Sequence, residues 1–264
     1  GWRPYDPGKL GHLGHGVSPD VVTSVALEQM LASGPLKRKS DGRAAKIVAF
    51  VQCAGSRDPN HLPYCSSVCC GVSIKQALQI LEADPDSSVY VLYDELRTPG
   101  VAEEFYRTAQ TAGVVFIKGK VKSVGAELAI AFEDALLREE ISLSGLDLVV
   151  LATGMVPNAT DPSGGEAAHP LPEPDIDPLA PIAVAGRAGA APAPPTPATA
   201  AVVPGAPLLN LQYRQGPHLP ILADGFADSH FICFPYETRR SGIYTCGPLR
   251  RPMDMAESAE DATG

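Results

Sequence analysis

The stretch that decides the fold runs from Lys46 to Leu81, KIVAFVQCAGSRDPNHLPYCSSVCCGVSIKQALQIL. It opens on KIVAFVQ, an apolar run of strand length in the style of a strand buried on both faces. It closes on SSVCCGVSIKQALQIL, which places Val68, Val72, Ile74, Ala77, Leu78 and Leu81 at roughly helical spacing. Downstream, SSVYVLYDEL predicts a second strand, EEFYRTAQTAG a helix closed by Gly113, and VVFIKGKV a third strand. Antiparallel strands are expected around ELAIAFED and EEISL, and LDLVVLATG ends the unit. Strand, helix, strand, helix, strand with short connections requires parallel pairing and right-handed crossovers. The fold class is therefore α/β, a doubly wound parallel-sheet dinucleotide-binding domain spanning residues 45–157.

Outward from that unit, residues 1–44 read as a loop, a helix from Val22 to Ala32 started by Thr23 or Ser24 and closed by Gly34, and a polar linker, PLKRKSDGR. Residues 158–207 are rich in Pro, Ala and Gly, a composition that buries too little apolar surface to fold alone, and are expected to be a flexible insertion. Order is expected to resume at LLNLQYRQ, with SHFICFPYETRRSGIYTCG forming two strands before a last helix, MDMAESAEDATG, in a C-terminal region 208–264.

With 264 residues and 45% hydrophobic content the chain can build one large core or two modest ones. A net charge of -9 and the lack of a basic stripe interleaved with aromatics argue against nucleic acid as a partner. No apolar run approaches the roughly 20 residues of a membrane helix, so no direct membrane insertion is expected. There is no signal-peptide pattern at the start, and both ends look cut from something longer. Six cysteines without a secretory signal argue for a cytoplasmic, reduced chain rather than a disulfide scaffold.

Cys53, Cys65, Cys69 and Cys70 stand where a glycine-rich phosphate turn would follow the first strand. A pyridine nucleotide thus loses its phosphate cradle, although Asp94 lies where a ribose-binding acid would be. Four thiolates suit zinc or an iron-sulfur cluster. The adjacent pair Cys69 and Cys70 favours the cluster, because neighbouring residues at a helix start point about 100° apart and reach different corners of a cubane more readily than one small ion. Zinc, as a structural staple, stays the alternative, with unrelated buried or redox cysteines behind it. Cys233 alternates with apolar neighbours and reads as a packing thiol, as does Cys246. His61 reads as a loop residue, Arg57 and Lys75 as cations that could stand beside a cluster, and Arg239, Arg240, Arg250 and Arg251 as cations bracketing the last strand pair.

VQCAGSRDPNHLPYCSSVCCGVSIKQA closely resembles the heterodisulfide reductase A-type family, whose members carry an unusually spaced cysteine set for a 4Fe-4S cluster within a thioredoxin-reductase-like FAD protein. GWRPYDP at the start and LDLVVLATGMVPN resemble segments that leave and re-enter a FAD domain, so the chain would hold only part of that domain. The last 36 residues, from Ser229, look most like the B-type component of the quinone-interacting membrane-bound oxidoreductase (Qmo) complex. Thr238, Gly242, Ile243, Tyr244 and Gly247 match the related flavoproteins' strand, whereas Pro248 replaces a flavin-binding Asp. The resemblance implies Cys53, Cys65, Cys69 and Cys70 as cluster ligands. It also implies flavin contacts around Thr153, Gly154, Gly247, Pro248, Met253 and Asp254. The implied role is an electron-transfer component that uses FAD and the cluster. Its partners would be other members of a complex, among them a quinone-linked membrane protein, which would place it at the cytoplasmic side of the inner membrane.

Overall fold

The computed structural model describes residues 1–158, 221–229, 236–238 and 242–264. The expected Pro/Ala-rich insertion beyond Asn158, the LLNLQYRQ strand, Cys233, Arg239 and Arg240 lie outside the described residues. In chain order the elements are β1 (Trp2–Pro4), β2 (Val21–Thr23), α1 (Ser24–Ala32), β3 (Ile47–Ala54), α2 (Cys69–Ala83), β4 (Ser88–Tyr93) and α3 (Ala102–Thr111). There follow β5 (Val115–Val124), β6 (Ile130–Asp134), β7 (Glu140–Leu143), β8 (Leu148–Thr153), β9 (Met155–Pro157) and α4 (Met255–Thr263). Residues 2–156 and 251–264 form one compact unit, and Gly1 with residues 157–250 another.

The larger unit is built on a seven-stranded sheet of order β2-β8-β3-β4-β5-β6-β7. β2, β8, β3, β4 and the first half of β5 run parallel. β5 then changes partner: Val115–Lys118 pair with β4, and Gly119–Val124 pair antiparallel with β6. The switch is made at Gly119, where a Cβ would lie 2.6 Å from the Glu133 carbonyl oxygen.

Period-two alternation in β3 and β8 sends their residues into two cores. Val48, Phe50, Leu148 and Val150 face α1, α2 and α3, meeting Leu27, Ile74, Ala77, Ile80 and Ala109. Ala49, Val51, Val149 and Leu151 face the other way, onto Tyr5, Leu10, Leu13, Val124, Ile130 and Phe132. The antiparallel strands and the N-terminal segment thus cover the face that the helices leave open. Burial on both sides is why β3 and β8 read as unbroken apolar runs.

The α/β dinucleotide-binding fold with a mostly parallel sheet is the expected one, with one strand added, but its helices α1, α2 and α3 cover a single face where a doubly wound sheet carries helices on both. The helix expected from Val22 begins at Ser24, capped by the Thr23 hydroxyl, which accepts from Ala26 N. Val21–Thr23 instead form β2, paired parallel to β8 at the edge of the sheet. Three residues of strand are too short to show a period, so the apolar Val22 reads as the start of the helix that follows. Residues 2–44, expected as a segment of a FAD domain and a linker, lie in the same compact unit as the sheet.

Asp20, 2% exposed, anchors this edge. Its carboxylate accepts from Lys39 N, Ser40 N and Ser40 Oγ, and Arg38 Nε lies 3.6 Å away. Burial pushes its pKa up, but the hydrogen bonds from Ser40 and Lys39 and the Arg38 charge outweigh burial and hold it below the ordinary value. A depressed carboxyl pKa contributes stability above the unfolded value that is lost as pH falls through the folded one. Asp20→Ala is expected to cost about 2 kcal/mol at pH 7, the scale of hydrogen bonds to a charged acceptor. Denaturant unfolding should show that cost shrinking as the pH is taken below the ordinary carboxylate range.

In the smaller unit, Ala227 is buried against Ile221, Ile243 and Leu249. The last strand pair is seen as a bridge between Glu237 and Tyr244, supported by Thr238 N to Ile243 O and Thr245 N to Tyr236 O.

Candidate metal centre

Cys53 is the last residue but one of β3 and adopts a left-handed backbone conformation, φ 54°. The ladder with β8 is irregular between Val51 and Ala54, so the strand turns as it reaches the cysteine. Gly55, Arg57 and Ser67 are left-handed as well. A loop that needs this backbone at non-glycine residues holds it against a cost of about 1–2 kcal/mol each, and persists only where its surroundings over-determine it.

Those surroundings are specific. Leu62 N donates to Gly55 O at 3.0 Å, Arg57 N to Tyr64 O at 3.0 Å and Asp58 N to Leu62 O at 2.9 Å, closing the loop on itself. The loop is then tied to the turn after β8. Met155 N donates to Ser66 Oγ at 2.9 Å, Ser66 Oγ lies 3.2 Å from Ser56 Oγ, and the Tyr64 hydroxyl donates to Met155 O at 3.0 Å. Tyr5 N donates to Gly154 O at 2.7 Å, while the Tyr5 hydroxyl meets His61 Nδ1 at 2.9 Å.

At the other end of the loop Cys69 and Cys70 begin α2. Its first turn has no side-chain cap, Val68 standing at the N-cap position, so the leading amides remain available to an anion. The Cys69 thiol donates to Thr153 O at 3.7 Å, Arg97 N donates to Cys70 Sγ at 3.3 Å and Ser67 N to Cys65 Sγ at 3.4 Å. Cys70 is buried, and Cys53, Cys65 and Cys69 are half-buried.

The four thiols act on one another. Burial, then the neighbouring Cys70 and Cys65, push Cys53 up to about 12. Burial, then Cys70, Cys53 and Cys65, push Cys69 up to about 12. Cys70 is also raised, by burial first and by Cys65, against the opposing hydrogen bond from Arg97 N and the charges of Arg57 and Arg97. Buried thiols so close in charge ionise together only when a cation compensates them. None of the four is in a disulfide. Among the described residues, no three His, Cys, Asp or Glu side chains close to single-ion spacing.

The other expected residues fall as follows. Arg57 faces the cysteines and pairs with Glu95. Lys75 does not: it pairs with Glu28 across α1 and α2 at 2.6 Å. His61 is held by Tyr5 and stacks beside His12, ring centroids 6.2 Å apart. Arg97, which follows β4, has no motif around it in the sequence, and only the tertiary fold brings it to Cys70.

Of the expected flavin contacts, Thr153 and Gly154 lie against the cysteine loop. A Cβ on Gly154 would overlap Ser56 Oγ and come within 2.5 Å of Ser66 Oγ, so the space there is already filled by the loop. Asp254 caps α4 in a closed capping box, accepting from Glu257 N while Glu257 accepts from Asp254 N, and Met253 is buried. Gly247 and Pro248 form a short turn in the smaller unit, Arg250 N donating to Gly247 O. Cys246 is exposed.

No family model matches the chain. Among curated proteins it is 39% identical over 170 residues to the second A-type iron-sulfur component of the CoB–CoM heterodisulfide reductase of Methanopyrus kandleri, covering 60% of this chain and 26% of that protein. It is 31% identical to the A-type component of the H2:CoB-CoM heterodisulfide,ferredoxin reductase of Methanothermobacter marburgensis, along 100% of this chain and 34% of that protein. The chain thus spans about a third or less of these relatives. A thioredoxin reductase from T. acidophilum matches with TM-score 0.37 at 11% identity, over 60% of this chain and 43% of that one, too slight a likeness to carry an argument.

Gly154→Ala is expected to lower the unfolding midpoint, because the loop must move off β8 to admit a methyl group, at a cost of about 1–3 kcal/mol. Thermal unfolding followed by circular dichroism checks it.

Proposed function

We propose that this chain, which belongs to the heterodisulfide reductase A-type family and corresponds to part of its length, holds a 4Fe-4S cluster on Cys53, Cys65, Cys69 and Cys70 and serves electron transfer in an oxidoreductase complex. The observation that carries this reading is the gathering of four reduced thiols from β3, the loop and the α2 N-terminus into one mutually interacting set. The surroundings suit a thiolate-ligated cluster: the uncapped helix start favours a net negative group, and Arg57 and Arg97 supply positive charge beside it. When bound, the cluster supplies one-electron transfer. The chain's own part is to hold the four thiolates, to present amides and cations to them, and to shield them behind the braced loop.

A flavin belongs to this reading only in a longer protein, since the described residues lack a phosphate-receiving turn and fill the space at Gly154. There, Gly247, Pro248, Met253 and Asp254 are the residues proposed to approach it, with Thr153 and Gly154 reaching it through the cysteine loop. The proposed partners are other members of an electron-transfer complex. The Qmo branch, with a quinone-linked membrane protein, rests on the C-terminal match alone. Among the described residues no helix is long and apolar enough to cross a membrane, so any membrane association is proposed to run through such a partner.

Replacing any one of Cys53, Cys65, Cys69 or Cys70 by Ser is expected to abolish or severely reduce iron content after anaerobic reconstitution, whereas Cys246→Ser leaves it unchanged. Iron analysis and the EPR spectrum of the reduced protein check this. Full iron with an unaltered spectrum in the Cys70→Ser protein would overturn the ligand set, and a colourless, zinc-loaded protein would favour the structural staple.

The same chain is expected to take up the cluster while binding FAD weakly or not at all. Titration with FAD followed by flavin fluorescence is the check, and sub-micromolar binding would show that a flavin site has been overlooked.

A further inference from the structure

We propose that Gln52, Ser73 and Thr153 are positioning residues whose buried side chains donate hydrogen bonds to the sulfurs of the cluster, raising its reduction potential and its hold in the protein. The inference rests on the cluster reading above.

Six described residues carry a buried side-chain nitrogen or oxygen with no hydrogen-bond partner: Arg38, Gln52, Ser73, Gln76, Thr153 and Thr245. Three of the six adjoin the cysteines. Gln52, 7% exposed with both amide atoms unpartnered, directly precedes Cys53 on β3. Ser73, fully buried, lies one helical turn after Cys69 and Cys70 and shares the buried face of α2 with Cys70. Thr153, 7% exposed, stands beside Ala54 in the β3–β8 register, and its carbonyl receives the Cys69 thiol.

An orphaned buried donor is destabilising, and native proteins hold few of them. Three on three different elements, each next to a cysteine in sequence, helical turn or strand register, have a common explanation if their acceptor is the group the cysteines hold. Thiolate and sulfide sulfurs are acceptors, and the side chains of Gln, Ser and Thr each bring at least one donor. Donation to cluster sulfur stabilises the more negative, reduced state, so it shifts the potential upward. In the protein without iron the same hydroxyls have nothing to bind. Their apolar replacements should then leave that form unharmed or firmer, while weakening the loaded form.

The experiment uses the whole chain, reconstituted anaerobically, with Thr153→Val, Thr153→Ser, Ser73→Ala and Gln52→Leu compared with the parent. EPR-monitored redox titration reads the potential, and thermal unfolding reads the iron-free and iron-loaded forms separately. The expected result is a more negative potential in Thr153→Val and Ser73→Ala and a parent-like potential in Thr153→Ser. Thr153→Val should lower the loaded midpoint only. Iron-loaded variants with unchanged potentials would overturn the proposal and leave the cluster reading standing. Equal destabilisation of both forms by Thr153→Val would also overturn it, since the hydroxyl would then serve the fold. A parent chain that takes up no iron would sink the cluster reading, and this inference with it. Should Gln52→Leu fail to fold, the two hydroxyl positions decide the outcome alone.

Discussion

The hydroxyl of Ser66, buried between Met155 N and the Ser56 hydroxyl, is the contact on which the rest of the centre depends. It ties the cysteine loop to the turn that leaves β8, next to a glycine whose bare Cα leaves just enough room for both serines. Without that tie, Cys65 and the start of α2 would be held less firmly relative to Cys53, and left-handed backbone at Cys53, Arg57 and Ser67 would rest on the loop's own hydrogen bonds and the Tyr64 hydroxyl. The loop's shape is therefore set by its neighbours more than by its own propensities. Tyr5, donating from its amide to Gly154 and meeting His61 through its hydroxyl, extends the same brace to the N-terminal segment.

Much of this was legible in the residues. The apolar runs of β3, β4 and β8 and the helical spacing of α2 were enough to place the parallel sheet, because burial on both faces leaves a sequence pattern that few other arrangements share. The four cysteines stood out through their clustering alone. What escaped had no local signature. β2 is too short to show a period and pairs with a strand more than a hundred residues away, Val22 with Val150. Arg97 and the orphaned Ser73 look like ordinary surface and helix residues until the chain is folded. The turn at Thr153 and Gly154 was recognisable as a turn, but its neighbours were not: Ser56, Ser66 and Leu62 pack against the bare Cα of Gly154.

The position of the centre follows from the sheet. In an α/β dinucleotide-binding fold the carboxyl ends of parallel strands and the amino end of the next helix form a crevice suited to anions, normally phosphate. Here Cys53 stands at the end of β3 next to Ala54 and Cys69 and Cys70 at the helix start, so thiols line the crevice. A thiolate-ligated cluster and a pyrophosphate ask for the same surroundings, namely unpaired amides and the positive end of a helix dipole. On the proposed reading, exchanging a glycine turn for a cysteine loop would change the guest while leaving the physics of the site unaltered.

That equivalence also explains the polarity of the surroundings. A phosphate in open solvent keeps part of its hydration, but a cluster sunk behind a loop loses it, and the protein must replace water with fixed donors or tolerate a very low potential. Cys70 is buried, Cys53 and Cys69 are raised to about 12 by burial before any other cause, and the charges that oppose this in Cys70 come from Arg57 and Arg97. The two arginines lie on different segments, one inside the cysteine loop and one after β4, and Arg57 is itself paired with Glu95. Its charge is therefore partly neutralised by the glutamate. Arg97 N, by contrast, donates directly to Cys70 Sγ, a contact that depends on the backbone path after β4 and would survive replacement of the side chain. Side-chain charge and backbone amide at this one residue are thus separable influences on the same sulfur.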